Sequence, residues 1–293
     1  KYKTYLAKIT KEGGIKPGTK CNYECKLSFM LKWVEKDKRI TYIYQFNKKF
    51  VCDFLDYVLV ERNNTLRTRN NYIGWLKSFS GYLVERGYVQ KDPTEGVNAS
   101  TKLGPKNRSV IPNDVLLQIK SYLEKENKHF LLACYILHYL FVRPHEMTFL
   151  KIKDISREKK TLTLNGAYTK NGHDAIVTIP NHVISLMEEL DIFSVPPDFY
   201  LFGKKFRPGM TPIPADRFSR FWVDNVKKTL GLSDFYKFYS LKDTGITNMI
   251  KAKTDLLTVR DQARHSSVKV TNIYTPQDCK EANRDLIGYE GVF

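Results

Sequence analysis

The sequence predicts a mainly α-helical protein in two domains, with a small β-sheet or hairpin in the second. Three observations lead there. Apolar residues recur near a 3.6-residue period through residues 20–97. Two short segments that alternate or carry β-branched residues, Thr161 to Leu164 and Asp174 to Ile179, flank Asn171-Gly172, a dipeptide that favours a tight hairpin turn. At 293 residues the chain exceeds the usual size of one domain, and the stretch Asn98 to Ser109, rich in Gly, Ser, Lys and Arg, lacks any periodic apolar pattern. We draw a helical domain at 1–97, a basic linker at 98–111 and a second domain at 112–293.

Within the first domain, helices are predicted over Asn22 to Glu35, Asn47 to Glu61 and Leu66 to Glu85. Thr65 can cap the third and Gly87 can end it, while Pro93 forces an extended exit. The linker reads either as a surface loop or as a segment that tracks DNA. A helix opens at Pro112-Asn113-Asp114, whose carboxylate and amide can accept the first free amides. Phe130 to Val142 reads as a buried helix closed by Arg143, and Pro144 suits the first turn of the next, Pro144 to Lys151. After the hairpin, helices resume at His182 to Leu190, Pro214 to Leu230, Thr244 to Ala252 and Asp255 to Ala263.

Composition narrows the function classes. A net charge of +17 favours a polyanionic partner, nucleic acid first and an anionic membrane surface second, because each neutralised phosphate releases counterions. Five scattered cysteines make no disulfide framework, and a reducing cytoplasm fits them best. Cys21 and Cys25 have a spacing that could begin a zinc site, but no second pair follows, so they read as small apolar fillers and no metal is expected. The longest apolar run, Phe130 to Val142, is too short to span a bilayer. No signal-peptide pattern opens the chain, and its start at Lys1 implies that a methionine or a longer N-terminal part precedes it. Neither a phosphate-binding glycine loop nor a carboxylate cluster for two metals is present, so no cofactor is expected.

The chemistry concentrates late in the chain, where Tyr274 follows His265 by nine residues in Arg264-His265-Ser-Ser-Val-Lys-Val-Thr-Asn-Ile-Tyr274. A phenol so placed could attack a phosphodiester while Arg143 and Lys170 hold the phosphate oxygens. Its ordinary pKa of about 10 requires nearby cations or a base to ease deprotonation.

From residue 110 onward, the order of motifs resembles the tyrosine recombinase, or phage-type integrase, family. Arg143-Pro-His-Glu146-Met resembles the first family box, Arg-x-x-Glu-Leu, and Tyr168-Thr-Lys170-Asn-Gly172 resembles the β-hairpin lysine. Tyr239-Ser-Leu-Lys242-Asp-Thr244 resembles the second box, His-x-x-Arg-His-Thr, and His265 to Tyr274 resembles the segment that ends at the nucleophile. The resemblance implies a recombinase catalytic fold in 112–293 behind a helical core-binding domain. It also implies that Tyr274 forms a 3′-phosphotyrosine link, Arg143 and His265 contact the scissile phosphate, and Lys170 is the general acid. Glu146 would orient a catalytic neighbour rather than touch DNA.

The second box departs from the family at both chemical positions. Tyr239 stands for histidine and Lys242 for arginine, while Asp243 replaces a further histidine. Lysine keeps the charge but loses the two-pronged fork, and we expect Lys242 to contact the phosphate in arginine's place. Arg264 replaces the glycine common before His265, which implies a different helix exit or an added phosphate contact. Ser266 or Ser267 reads as the next N-cap.

Lys102, Lys106, Arg108 and Arg264 are the chosen DNA-binding residues, with Tyr42, Tyr44, Arg67, Arg69 and Lys77 as further candidates on charge or hydrogen-bonding capacity alone. A clamp on double-stranded DNA, one half on each side, suits this distribution. The tail after Tyr274 either packs in cis or, as the family resemblance implies, docks on a neighbour within a homotetramer on paired sites. The expectation is thus a cytoplasmic, cofactor-independent recombinase, the integrase of a mobile element. The alternatives are a recombinase-like DNA-binding protein without turnover and a topoisomerase-like relaxing enzyme.

Overall fold

The structure, a computed structural model, describes residues 1–37, 40–104, 108–170 and 172–275, and the chain divides into two units, Lys1–Pro105 and Lys106–Phe293. In the first unit, α1 (Tyr2–Lys11), α2 (Pro17–Asp37), α3 (Lys48–Asp56) and α4 (Leu66–Glu85) surround an aromatic core that includes Trp33, Phe54 and Trp75. Thr65 caps α4 by accepting the Thr68 N–H at 3.2 Å, and Asn47 caps α3 through the Phe50 N–H at 3.0 Å. Gly87 takes φ 67° just past α4, a conformation that favours glycine.

Helix α1 was not legible in the sequence because only Tyr2 and Leu6 are buried on it. Tertiary packing holds it, with the Tyr2 ring 4.8 Å from those of Phe79 and Tyr82. Cys21 and Cys25 lie exposed on α2 rather than filling the core. Among the described residues, no group of three or more His, Cys, Asp or Glu could hold a metal, and no helix is long and apolar enough to cross a membrane.

The second unit opens with α5 (Asn113–Glu126) and α6 (Lys128–Tyr139). The cap of α5 is Pro112, with no side-chain bond, so the expected Asn113 or Asp114 cap does not form. Helix α6 stops at Tyr139 instead of running to Val142, because Phe141 turns to φ 55° and Arg143 is extended. Proline disfavours helical geometry at the residue before it, which explains the extended Arg143. The next helix, α7 (Pro144–Met147), is one turn rather than the two expected.

An antiparallel sheet follows in the order β1 (Ile155–Ser156), β2 (Thr161–Leu164), β3 (Ala175–Thr178). Leu162 pairs with Val177 and both face the core, while Ile176 points to solvent. The register pairs Leu164 with Ala175, so residues 165–174 form a long connection and not the tight Asn-Gly turn expected. That connection folds onto itself: the Gly166 N–H donates to Asp174 Oδ1 at 2.6 Å, and Thr169 Oγ1 donates to the His173 carbonyl at 3.0 Å. A Cβ on Gly166 would lie 2.8 Å from the Gly172 carbonyl, so only glycine fits. Lys170 sits exposed on this loop, and Asn171 lies outside the described residues.

Helices α8 (Asn181–Glu189), α9 (Asp216–Phe221) and α10 (Lys228–Leu230) then pack on the core, the last two joined by a π-helical stretch, Trp222–Lys227. Helix α11 (Ser240–Lys251) starts four residues earlier than expected, which places Lys242 and Asp243 in its first turns. It crosses α6 at Gly245, where a Cβ would fall 1.9 Å from the His138 carbonyl. Across the same contact, His138 Nδ1 lies 3.0 Å from the Leu241 carbonyl, and burial pushes the imidazole pKa down to about 4. Helices α12 (Leu256–Ala263) and α13 (Val268–Asn272) close the unit over a small cluster of Phe141, Ile246, Val259 and Ala263, against which Tyr274 packs.

Because the α6–α11 crossing leaves no space for a methyl group, Gly245→Ala should cost about 3 kcal/mol or more of stability. Urea denaturation measures it; a loss under about 0.5 kcal/mol would mean that the two helices separate freely.

Candidate active site

The left-handed turn at Phe141 frees its carbonyl from the α6 ladder and delivers Arg143 to the start of α7. Glu146, three residues on, reaches back to that start. Its Oε2 accepts the Arg143 N–H at 2.9 Å and its Oε1 accepts an Arg143 guanidinium N–H at 2.9 Å. The same Oε2 accepts a third bond from Arg264 Nη2 at 2.7 Å. Burial alone would raise the Glu146 pKa, but the bonds and charges of Arg264 and Arg143 outweigh it and hold the carboxyl below its usual range.

Arg264 ends α12 in the left-handed region, φ 54° and ψ 47°, where a residue with a Cβ costs about 1 kcal/mol. Its Nη2 also donates to the Phe141 carbonyl at 3.3 Å, and the same carbonyl accepts from Lys242 Nζ at 2.7 Å. A continuous chain of bonds thus runs Arg143, Glu146, Arg264, Phe141 carbonyl, Lys242. Burial first, then the Arg143 and Arg264 charges, push the Lys242 pKa well below the ammonium range. Two arginines thus share the Glu146 carboxylate, while Lys242 is held on the Phe141 carbonyl.

The phenol stands next to this network. Tyr274 donates to Asp243 Oδ1 at 3.0 Å, and its ring stacks on His265 with centroids 5.9 Å apart. Burial and then the Asp243 charge raise the phenol pKa above its ordinary value, so in this arrangement it is a weak nucleophile. Asp243 also takes Arg108, whose Nε pairs with Oδ2 and whose guanidinium lies 4.6 Å over the Tyr239 ring. Burial raises the Tyr239 pKa against the opposing charges of Arg143 and Arg108. His265 Nδ1 lies 2.9 Å from Thr271 Oγ1 on α13. Burial, then Lys242, Arg143 and Arg264, push its pKa down to about 4, so at neutral pH it is an uncharged imidazole.

The fold therefore gathers Arg143, Glu146, Tyr239, Lys242, Arg264, His265 and Tyr274 from three distant stretches of chain. Lys242, expected to touch phosphate, is 2% exposed, and its Nζ donates to the Phe141 carbonyl. Arg108 and Arg264, chosen as DNA contacts, pair with the buried carboxylates of Asp243 and Glu146. Lys170 and Lys102 are exposed, and Lys106 lies outside the described residues. Of the further candidates, Tyr42 and Tyr44 are exposed and stack on each other at 5.6 Å. Ser267 is the N-cap of α13, without a side-chain bond. The residue that sequence reasoning left out of the site is Asp243, and the signal was there: a carboxylate beside Lys242 where the family box has histidine.

Two outcomes follow. Asp243→Asn should lower the Tyr274 pKa, seen as phenolate absorbance at lower pH than in the parent; an unchanged or higher value would contradict the coupling. His265, with a folded pKa near 4 against about 6.5 unfolded, contributes stability that is present above 6.5 and lost as pH falls through 4. The stability advantage of the parent over His265→Gln should therefore shrink between pH 6.5 and 4, and a constant difference by urea titration would exclude it.

A model of the phage integrase family matches residues 109–281, more than half of the chain. Among curated relatives, the TnP I resolvase of Bacillus thuringiensis is 24% identical over 84% of this chain and 84% of its own length. Tyrosine recombinase XerC of Roseiflexus castenholzii is 26% identical over 74% of this chain and 70% of its own. Of solved structures, a lambda integrase dimer bound to a core site superposes with a TM-score of 0.72 at 18% identity, covering 97% of this chain and 95% of that one. The Tn1549 transposon integrase in complex with transposon right end DNA gives 0.72 at 15% identity, covering 96% and 95%. With a family model spanning the whole cationic network and its tyrosine, this chain belongs to the phage integrase family of tyrosine recombinases.

Proposed function

We propose that the protein cuts and rejoins double-stranded DNA at specific sites, without metal or nucleotide. The observation that carries this is the cation network around Glu146, with the Tyr274 phenol beside it: a site built for a phosphodiester and a nucleophile together. The phenol passes its proton to Asp243, and its oxygen forms a bond to phosphorus as the bond from phosphorus to the 5′-oxygen breaks. The products are a 3′-phosphotyrosine link and a free 5′-hydroxyl, and attack by that hydroxyl, or by one from a partner strand, reverses the step. Arg143 binds non-bridging oxygens with its fork, and neutral His265 donates one further bond. Glu146 holds the arginines at the angle the phosphate requires.

The incoming phosphate competes with Asp243 for Arg108, which frees that carboxylate to take the phenol proton. Lys170, carried on the loop 165–174, gives the 5′-oxygen its proton. Lys102 and Lys106 contribute phosphate contacts outside the chemical centre. The transposon and phage integrases that share this fold support a role in moving a mobile element. The lambda integrase structure holds a dimer on one core site. Two such sites would carry four copies, and we infer a homotetramer on paired sites, acting on DNA in the cytoplasm.

The test is a nicked duplex drawn from the DNA flanking the coding region. The parent protein should leave a denaturant-resistant protein–DNA band, and Tyr274→Phe should abolish it while still shifting the duplex. A protein that binds this duplex with no tyrosine-dependent band would be an accessory factor without turnover.

A further inference from the structure

We propose that Arg264 is a catalytic residue: it supplies the second guanidinium fork to the scissile phosphate, the task that the buried Lys242 ammonium does not reach. This rests on the recombinase reading above. Three observations in the network support it.

Accessibility ranks the cations. The Arg143 side chain is 21% exposed and that of Arg264 10%, whereas Lys242 is 2% exposed. An anion entering beside Arg143 therefore meets Arg264 before it meets Lys242. The two forks are tethered to the same carboxylate, so an anion held by one lies within reach of the other.

Hydrogen bonding at Arg264 is incomplete. Its Nη2 is used by Glu146 and the Phe141 carbonyl, but its Nε is buried and has no partner. A buried donor left unmade is costly and is expected where a ligand completes it. Lys242 is the opposite case, its Nζ already donating to the Phe141 carbonyl.

The backbone gives the third observation. Arg264 occupies a left-handed position at the end of α12, where glycine would be unstrained, and the next residue is His265. Strain tolerated in a site of this kind marks a residue retained for what its side chain does. The same turn then presents guanidinium and imidazole to one phosphate. In this arrangement Lys242 is the structural cation that pins the Phe141 carbonyl, and Arg264 does the phosphate binding.

The first variant is Arg264→Gly, which relieves the left-handed strain but loses the bonds to Glu146 and the Phe141 carbonyl, so it should fold with a lower melting temperature than the parent. Cleavage of the nicked flanking duplex should fall about 100-fold, the usual loss when one transition-state donor is removed. Arg264→Lys, which keeps charge and length, should fold like the parent and cleave about 10-fold more slowly for want of the fork. Adding Lys242→Arg to Arg264→Gly should restore at least about 10-fold of the loss, since a purely structural role at the helix exit would not respond to a guanidinium placed on α11.

A duplex with a methylphosphonate at the scissile position should slow the parent more than Arg264→Gly, whose partner for that oxygen is already gone. Parent-like cleavage by folded Arg264→Gly, or by Arg264→Lys should the glycine variant not fold, overturns the assignment and leaves the recombinase reading intact. A parent protein that forms no Tyr274-dependent adduct overturns both.

Discussion

Everything in the candidate site is arranged by one buried carboxylate. Glu146 accepts the Arg143 N–H and guanidinium on one side and Arg264 on the other, and with them it sets where Lys242 and the Phe141 carbonyl must lie. Burying a carboxylate is unfavourable unless charge and hydrogen bonds compensate, and here two arginines supply both. The converse also holds, because cations so close together repel each other without it. A carboxylate with two arginines on it is over-compensated, and the residual positive charge suits the site to an anion.

The backbone makes this geometry possible. Helix α6 ends at Tyr139, and the left-handed Phe141 turns its carbonyl away from the helix axis toward Lys242 and Arg264. The contact at Gly245 brings α11 close enough for Lys242 to reach that carbonyl. A wider helix crossing would leave the ammonium without its partner.

Asp243 adds a second layer of control. It holds the Tyr274 phenol and Arg108 together, so the phenol rests in a protonated, hydrogen-bonded state.

The sequence by itself determined the helical periods, the Thr65 cap and the two longer strands of the sheet, and it singled out Tyr274, His265 and Arg143, since each is written in spacing a few residues long. It did not disclose helix α1, the ten-residue loop 165–174 in place of a tight turn, the inward course of Arg108 and Arg264, or the central place of Asp243. Those were decided by tertiary structure, for a physical reason. Whether a charged side chain is solvated or paired depends on which segment packs against it, and residues 108, 141, 146, 243, 264 and 274 meet only after α6 and α11 have crossed. Local pattern records how a residue is buried; the partner it is buried with is a property of the fold.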